Sequence, residues 1–272
     1  MTMPANITNA NISVPVFISN ALLRFLCYTT IYMDILKVDA LTVGKPSSPI
    51  IDNLSFSVAK GETLAIIGPN GAGKTTLFKA LLGLAPYSGT VTWAPNTKIG
   101  YVPQRMEIET DVPLTVEEFF RLRGKVATPE KIREILEYVQ LDAPILKAGF
   151  GEISVGQRQR ILVGWSILEN PNVLLFDEPT ADVDIFGQES IYKMISHLHE
   201  TLDLTVLLIS HDLSIVYQYA TNVMCLNHQK LCYGVPAEML KAEHLQSLYG
   251  GDRGFYAHDH AEPHTAHKHI TL

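Results

Sequence analysis

An eight-residue run constrains this chain more than any other stretch. Gly68-Pro69-Asn70-Gly71-Ala72-Gly73-Lys74-Thr75 matches GxxxxGK[ST] at every position, and Thr76 continues it. Residues 64–67 before it are apolar and read as a buried strand; residues 76–82 after it open a helix. Glycines let consecutive backbone N–H groups wrap a polyphosphate, and the helix N-terminus adds partial positive charge. Lys74 can then reach the β- and γ-phosphates, and the Thr75 hydroxyl can hold Mg²⁺. The chain is expected to bind a nucleoside triphosphate. The motif alone does not say what the energy drives.

The 272 residues suffice for one α/β domain with a full core, or two small ones. Hydrophobic content of 47% and charged content of 18% describe a globular protein. Net charge is −7, and Lys and Arg form no cluster, which excludes a broad nucleic-acid-binding face. Cys27, Cys225 and Cys232 lack zinc-site spacing and predict no disulfide framework, as suits a reducing cytosol. Cys225 and Cys232 are expected to line the core as thiols.

Residues 1–32 look foreign to the rest of the chain. The apolar stretch 14–32 is interrupted by Pro15, Asn20 and Arg24, and no basic region precedes it. It reads as a loosely ordered extension, or as sequence upstream of a start at Met33, rather than a membrane anchor. Residues 34–43 and 54–58 alternate as half-exposed strands do, with residues 44–49 as the loop between them. Residues 90–93 and 98–102 read as short strands. Together these strands suggest a small antiparallel sheet beside a parallel core. Thr115-Val116-Glu117-Glu118 is a capping box, and Thr128-Pro129-Glu130 places a cap, a proline and an acid at a second helix start. Residues 172–176 and 204–209 read as core strands and 188–202 as an amphipathic helix between them. A hairpin over 223–226 and 230–233 and a helix over 237–249 close the pattern. Histidines 197, 199 and 244 are assigned to helix surfaces. In such doubly covered parallel sheets, ligands sit beyond the carboxyl ends of the strands.

The remaining chemistry falls at those ends. Val173-Leu174-Leu175-Phe176 runs into Asp177-Glu178. A strand end would present Asp177 to Mg²⁺ and Glu178 to an attacking water. Ile153-Ser154-Val155-Gly156-Gln157 has capping-box spacing at Ser154 and Gln157, and predicts a helix through Leu168 whose N-terminus can face an anion.

With these motifs, residues 34–249 resemble the ATPases of ABC transporters. That family carries a phosphate loop, a Q-loop glutamine, a signature, an acidic strand end, a D-loop and a switch histidine, in that order. This chain offers Gln104 in Gly100-Tyr101-Val102-Pro103-Gln104, residues 153–157, Asp177-Glu178-Pro179-Thr180, Ala181-Asp182-Val183-Asp184, and His211 after Leu208-Ile209-Ser210. The resemblance implies a P-loop NTPase of the α/β class: a parallel core sheet, an antiparallel β subdomain and a helical signature subdomain near residues 105–168. It implies Glu178 as catalytic base, His211 on the γ-phosphate and the water, and Gln104 sensing Mg²⁺ and the membrane partner. Asp177 and Thr75 would hold Mg²⁺ with Gln104. Ser154, Gly156 and Gln157 would close over nucleotide held by a second copy, and Asp184 would help join the two. With a single phosphate loop and a single signature, the chain is expected to form a homodimer with two composite ATP sites.

Three positions depart from the family. Val155 stands where glycine is usual and Ile153 where leucine is usual. A Cβ at Val155 crowds the approach to the phosphate, but Ser154 and Gly156 are retained, so slower hydrolysis rather than a dead site is expected. Val43 stands where an aromatic usually stacks on adenine.

The sequence carries no bundle of membrane spans, so the resemblance implies a separate permease, a peripheral place on the cytoplasmic face of a bacterial inner membrane, and an extracytoplasmic metal-binding protein as indirect partner. Within the family it is most similar to the ATP-binding subunits of bacterial zinc importers. This rests on residues 99–104, Pro113-Leu114-Thr115-Val116 with Arg121-Leu122-Arg123, Val183-Asp184, and Cys225-Leu226-Asn227-His228 before Gly234-Val235-Pro236. Manganese, iron or chelate import is the alternative cargo, and a soluble non-transport ABC ATPase the remote one. Residues 250–272 form a tail in which His258, His260, His264, His267 and His269 could bind Zn²⁺ weakly, their spacing being too irregular for a preformed tetrahedral site.

Overall fold

The computed structural model describes residues 34–104, 106 and 113–249. The expectations for residues 1–32 and for the tail histidines 258, 260, 264, 267 and 269 lie outside the described residues.

Two sheets carry the fold. β1 (Asp34–Lys45), β2 (Ser48–Ala59) and β4 (Tyr87–Trp93) form an antiparallel sheet of order β2-β1-β4. The second sheet has order β5-β6-β7-β3-β8-β9, from β3 (Thr63–Ile67), β5 (Ile99–Val102), β6 (Val173–Asp177), β7 (Thr205–Ile209), β8 (Asn222–Asn227) and β9 (Gln229–Gly234). All its pairings are parallel except β8 with β9. Every residue of β3, β6 and β7 is buried, which is why these strands read as continuous apolar runs without alternation.

The helices divide between the faces. α1 (Lys74–Leu81) packs between the two sheets, burying Leu77 and Phe78 with Leu41, Val43 and Ile51 in one core. α2 (Val116–Arg121), α3 (Pro129–Tyr138), α4 (Val155–Ile167) and α5 (Ile185–Leu202) share a second core with Val102, Leu174 and Phe176. α6 (Leu213–Tyr219), α7 (Pro236–Met239) and α8 (Ala242–Tyr249) close the β8 side, where Leu245, Leu248 and Val216 are buried.

The caps form as the sequence requires. Thr115 and Ser154 each make a reciprocal capping box, with Glu118 and Gln157, and Thr128 caps α3 with Pro129 at its first turn. α4 lies close on α3: a Cβ on Gly164 would collide with Ile135.

Four expectations are corrected. β5 joins the parallel sheet beside β6 rather than the antiparallel one, because chain entering at Lys98 bonds Asn172 and Val173 at the start of β6. The loop expected over 44–49 is a tight turn at Pro46 and Ser47, with strand on both sides. The final helix is split, since α7 ends at Met239 before α8 starts at Ala242. Cys225 and Cys232 are not free thiols but a disulfide: they are direct partners across the β8–β9 hairpin, with Cα atoms 4.8 Å apart. His199 also does more than face solvent, since its Nε2 lies 2.9 Å from the Gly61 carbonyl oxygen.

Candidate nucleotide site

The phosphate loop leaves β3 at Gly68 and enters α1 at Lys74. Its backbone shape depends on glycine at two points. Gly73 caps α1 at φ +97°, where a side chain is strained and a Cβ would press on Ile50 and Ile51. A Cβ on Gly68 would collide with the Leu226 carbonyl, so the loop lies directly against the end of β8. From the β8–β9 turn, the His228 N–H donates to the Ala72 carbonyl at 3.1 Å, and His228 Nδ1 sits 2.9 Å from the Ile50 carbonyl oxygen. The loop is thus held from β2 and from β8.

Lys74 is 6% exposed, and its ammonium donates to the carbonyls of Gly68 at 2.9 Å and Pro69 at 3.1 Å. Burial lowers its pKa, and the carboxylates of Glu178 and Asp177 act against that. Asp177, the last residue of β6, is 1% exposed. Its Oδ1 accepts the Thr75 hydroxyl at 3.1 Å and its Oδ2 accepts the Tyr101 phenol at 3.3 Å. Burial raises the Asp177 pKa, against the Thr75 hydrogen bond. Burial, and then the charge of Asp177, push the Tyr101 phenol up to about 12, so at neutral pH it is a donor.

Glu178 follows with φ +50°, a left-handed conformation that few non-glycine residues adopt. The turn is fixed by its N–H donating to Ile209 O at 3.1 Å and its carbonyl accepting Ala181 N–H at 3.2 Å. The carboxylate is held on both oxygens: Gln104 Nε2 donates to Oε2 at 2.8 Å, and His211 Nε2 is 2.6 Å from Oε1. Behind it, the buried Tyr192 phenol lies 3.2 Å from Thr180 Oγ1 and 3.3 Å from Ser210 Oγ, joining the segments that carry Glu178 and His211.

An open cleft of about 730 Å³ collects these groups, lined by Asn70, Gly71, Gly73, Lys74, Thr75 and Thr76 together with Gln104, Glu178, His211 and Ile50. The expected residues of the phosphate loop, strand ends and switch therefore meet in one place, with Gly68, Pro69 and Ala72 forming the loop behind them. Ser154, Gly156, Gln157 and Asp184 do not line this cleft. Ser154 caps α4, Asp184 caps α5 through Gly187 N–H at 2.9 Å, and nothing within 4 Å would meet a Cβ on Gly156. The Val155 side chain is half-exposed.

Sequence reasoning missed two residues. Val43 is 3% exposed and packs in the core, whereas Ile50, 42% exposed, is the apolar side chain on the cleft. Reading Ile50 would have required the β1–β2 register. Tyr101 stands in the sequence only as a member of the Gln104 motif; its signal was a phenol three residues before Gln104 on a strand of alternating burial.

The chain is similar to known proteins in sequence and in fold. The sequence pattern of the ABC transporter family matches residues 51–181. The zinc import ATP-binding protein of Buchnera aphidicola is 36% identical over 236 residues, covering 85% of this chain and 98% of the relative. That of Rickettsia prowazekii is 38% identical over 215 residues, covering 79% and 91%. Among solved structures, a metal-chelate type ABC transporter in an inward-facing conformation superposes with TM-score 0.70 at 28% identity, over 79% of this chain and 88% of the other. The ADP conformation of an ATP-binding cassette gives TM-score 0.70 at 25% identity, over 81% and 100%. The chain belongs to the ATP-binding proteins of ABC transporters.

Proposed function

We propose that this chain hydrolyses ATP to drive zinc uptake through a separate membrane permease. The observation that carries the reading is the cleft lined by Lys74, Thr75, Gln104, Glu178 and His211, with the buried Asp177 bonded to Thr75 behind it. The zinc cargo is supported by the curated relatives, which are zinc import ATP-binding proteins.

The nucleotide phosphates would lie along the N–H groups of the phosphate loop, with Lys74 turning from the loop carbonyls toward them. Thr75 hydroxyl and Asp177 carboxylate, 3.1 Å apart, form an oxygen-only donor set that suits Mg²⁺. Mg²⁺ bound there neutralises charge on the phosphate oxygens. Glu178 takes the proton of the water that attacks the γ-phosphorus; the bond to the bridging oxygen breaks, leaving ADP and phosphate. His211 and Gln104 hold that carboxylate in place. The signature N-terminus, Ser154 to Gln157, would complete the phosphate cage of a second copy, and Asp184 would lie at that junction. Open space at Gly156 supports this arrangement. Among the described residues no helix is long and apolar enough to cross a membrane. Family membership supports docking on a permease, at the cytoplasmic face of the membrane, as part of the same reading. An extracytoplasmic metal-binding protein would deliver the cargo.

The test is elemental analysis of cells lacking the chain, grown under chelator limitation and complemented with the native or Glu178→Gln sequence. Zinc alone should fall, and only the native chain should restore it. A fall in manganese or iron instead would replace the cargo and keep the enzyme, and no change in any metal would remove the importer reading.

A further inference from the structure

Asp177 sits in a position that demands more of its carboxylate than a typical strand end does. It is 1% exposed, and both oxygens are engaged from different elements. Thr75 on α1 donates to Oδ1, and Tyr101 on β5 donates to Oδ2. Rotation of a carboxylate about its last side-chain bond is soft and roughly two-fold, so one donor fixes one oxygen while leaving the plane free to swing. Donors at both oxygens fix the plane. The Tyr101 ring is itself anchored: it meets Phe78 of α1 edge-on, with centroids 6.4 Å apart and planes at 84°. β5 pairs with β6 in register through Tyr101 with Leu175 and Val102 with Phe176, so the phenol reaches Asp177 from the neighbouring strand. One tyrosine therefore connects the helix that carries Thr75 to the strand that carries Asp177.

We propose that Tyr101 is a positioning residue for the divalent cation: it orients the Asp177 carboxylate toward the Thr75 side of the cleft. The inference rests on the ATPase reading, in which Thr75 and Asp177 hold Mg²⁺. A phenol in this place acts as the outer partner of a ligating carboxylate, and the loss of such partners typically lowers metal affinity about 10–100-fold. Tyr101 touches neither the phosphate loop nor Glu178 in the hydrogen bonds it makes, so its effect should be confined to the metal.

The test compares native chain with Tyr101→Phe, which removes only the hydroxyl and keeps the ring on Phe78. Mn²⁺ is the probe, its free concentration followed by electron paramagnetic resonance as it is titrated with a non-hydrolysable ATP analogue present. The half-saturating Mn²⁺ concentration should rise about tenfold. Affinity for the analogue in excess chelator should stay at the native value, which also reports that the variant is folded. In hydrolysis assays the Mg²⁺ concentration for half-maximal rate should rise by more than kcat falls. Unchanged Mn²⁺ saturation would overturn the proposal, as would a matching loss of metal-free nucleotide binding, since the ring would then be supporting the loop. A native chain without metal-dependent nucleotide binding would overturn the ATPase reading as well, which separates the two failures.

Discussion

His211 Nε2 and Glu178 Oε1 lie 2.6 Å apart, bridging the strand ends of β7 and β6. Gln104 Nε2 holds the other oxygen of the same carboxylate at 2.8 Å. Each oxygen keeps a further lone pair, so the carboxylate is oriented by both contacts and can still accept a proton from water. Gln104 is exposed and lies beyond the end of β5. Loss of His211 would free one oxygen of this carboxylate, and in the proposed hydrolysis the base would then swing away from the attacking water. His211→Ala is therefore expected to lower ATP turnover about 10²-fold, the scale of a positioned proton-transfer group. Nucleotide affinity should change little, because the phosphate loop is untouched. Steady-state phosphate release beside a fluorescent-nucleotide titration checks both.

Gly73→Ala should damage both the fold and the site. At φ +97° an alanine is strained, and its Cβ would lie 3.0 Å from Ile51 Cγ1 and 3.2 Å from the Ile50 carbonyl. A cost of about 1–2 kcal/mol in stability is expected. Nucleotide affinity should fall further than the melting point suggests, since Ile50 lines the cleft. Thermal melts and the same titration measure it.

Tyr233→Phe tests the join between β9 and the start of β3. The Tyr233 phenol donates to Ser57 O at 2.8 Å and lies 3.0 Å from Oε1 of the buried Glu62. Removing the hydroxyl should cost about 1 kcal/mol. Burial first, then the Glu62 charge, raise the phenol's pKa above its ordinary 10.0. The folded chain then holds this proton more tightly than the unfolded chain. Its contribution is complete below pH 10.0 and is lost progressively as pH rises beyond it. Urea unfolding across that range should show a steeper alkaline loss in native protein than in the variant.

The Cys225–Cys232 bond closes a short hairpin, its cysteines seven positions apart. Loop-closure entropy for so small a ring gives about 2 kcal/mol. Cys232→Ser should unfold at correspondingly lower urea, and native chain in reductant should behave like the variant. Equal stability with and without reductant would contradict the pairing.

The legible part of the sequence was set by the range of the forces involved. The phosphate loop, the caps at Thr115, Thr128 and Ser154, and the strand ending in Asp177 are local devices whose residues and spacing lie within a few positions. Asp177 and Lys74 come together because parallel strands put their carboxyl ends on one edge, a rule that needs no coordinates. Apart from the break in the final helix between Met239 and Ala242, the misses were matters of register and pairing. Ile50 faces the cleft while Val43 turns inward because β1 and β2 continue almost to their turn and are interrupted by irregularities, so neither face can be counted from one end. β5 could pair with either sheet until Asn172 selected β6. Cys225 faces Cys232 only in the observed hairpin register. Tyr101 resembled a strand residue because its partner, Asp177, is far away in sequence and adjacent only in space.

The most direct measurement is phosphate release by purified Glu178→Gln beside native chain at saturating Mg²⁺ and ATP, with ATP binding determined on the same samples. The amide keeps the shape of the side chain and cannot take a proton from water. Turnover should fall about 10²–10⁴-fold while ATP binding persists. Turnover within about twofold of native, far less than the loss of a positioned general base produces, would remove Glu178 from that role. The account of the cleft as a hydrolytic site would fall with it.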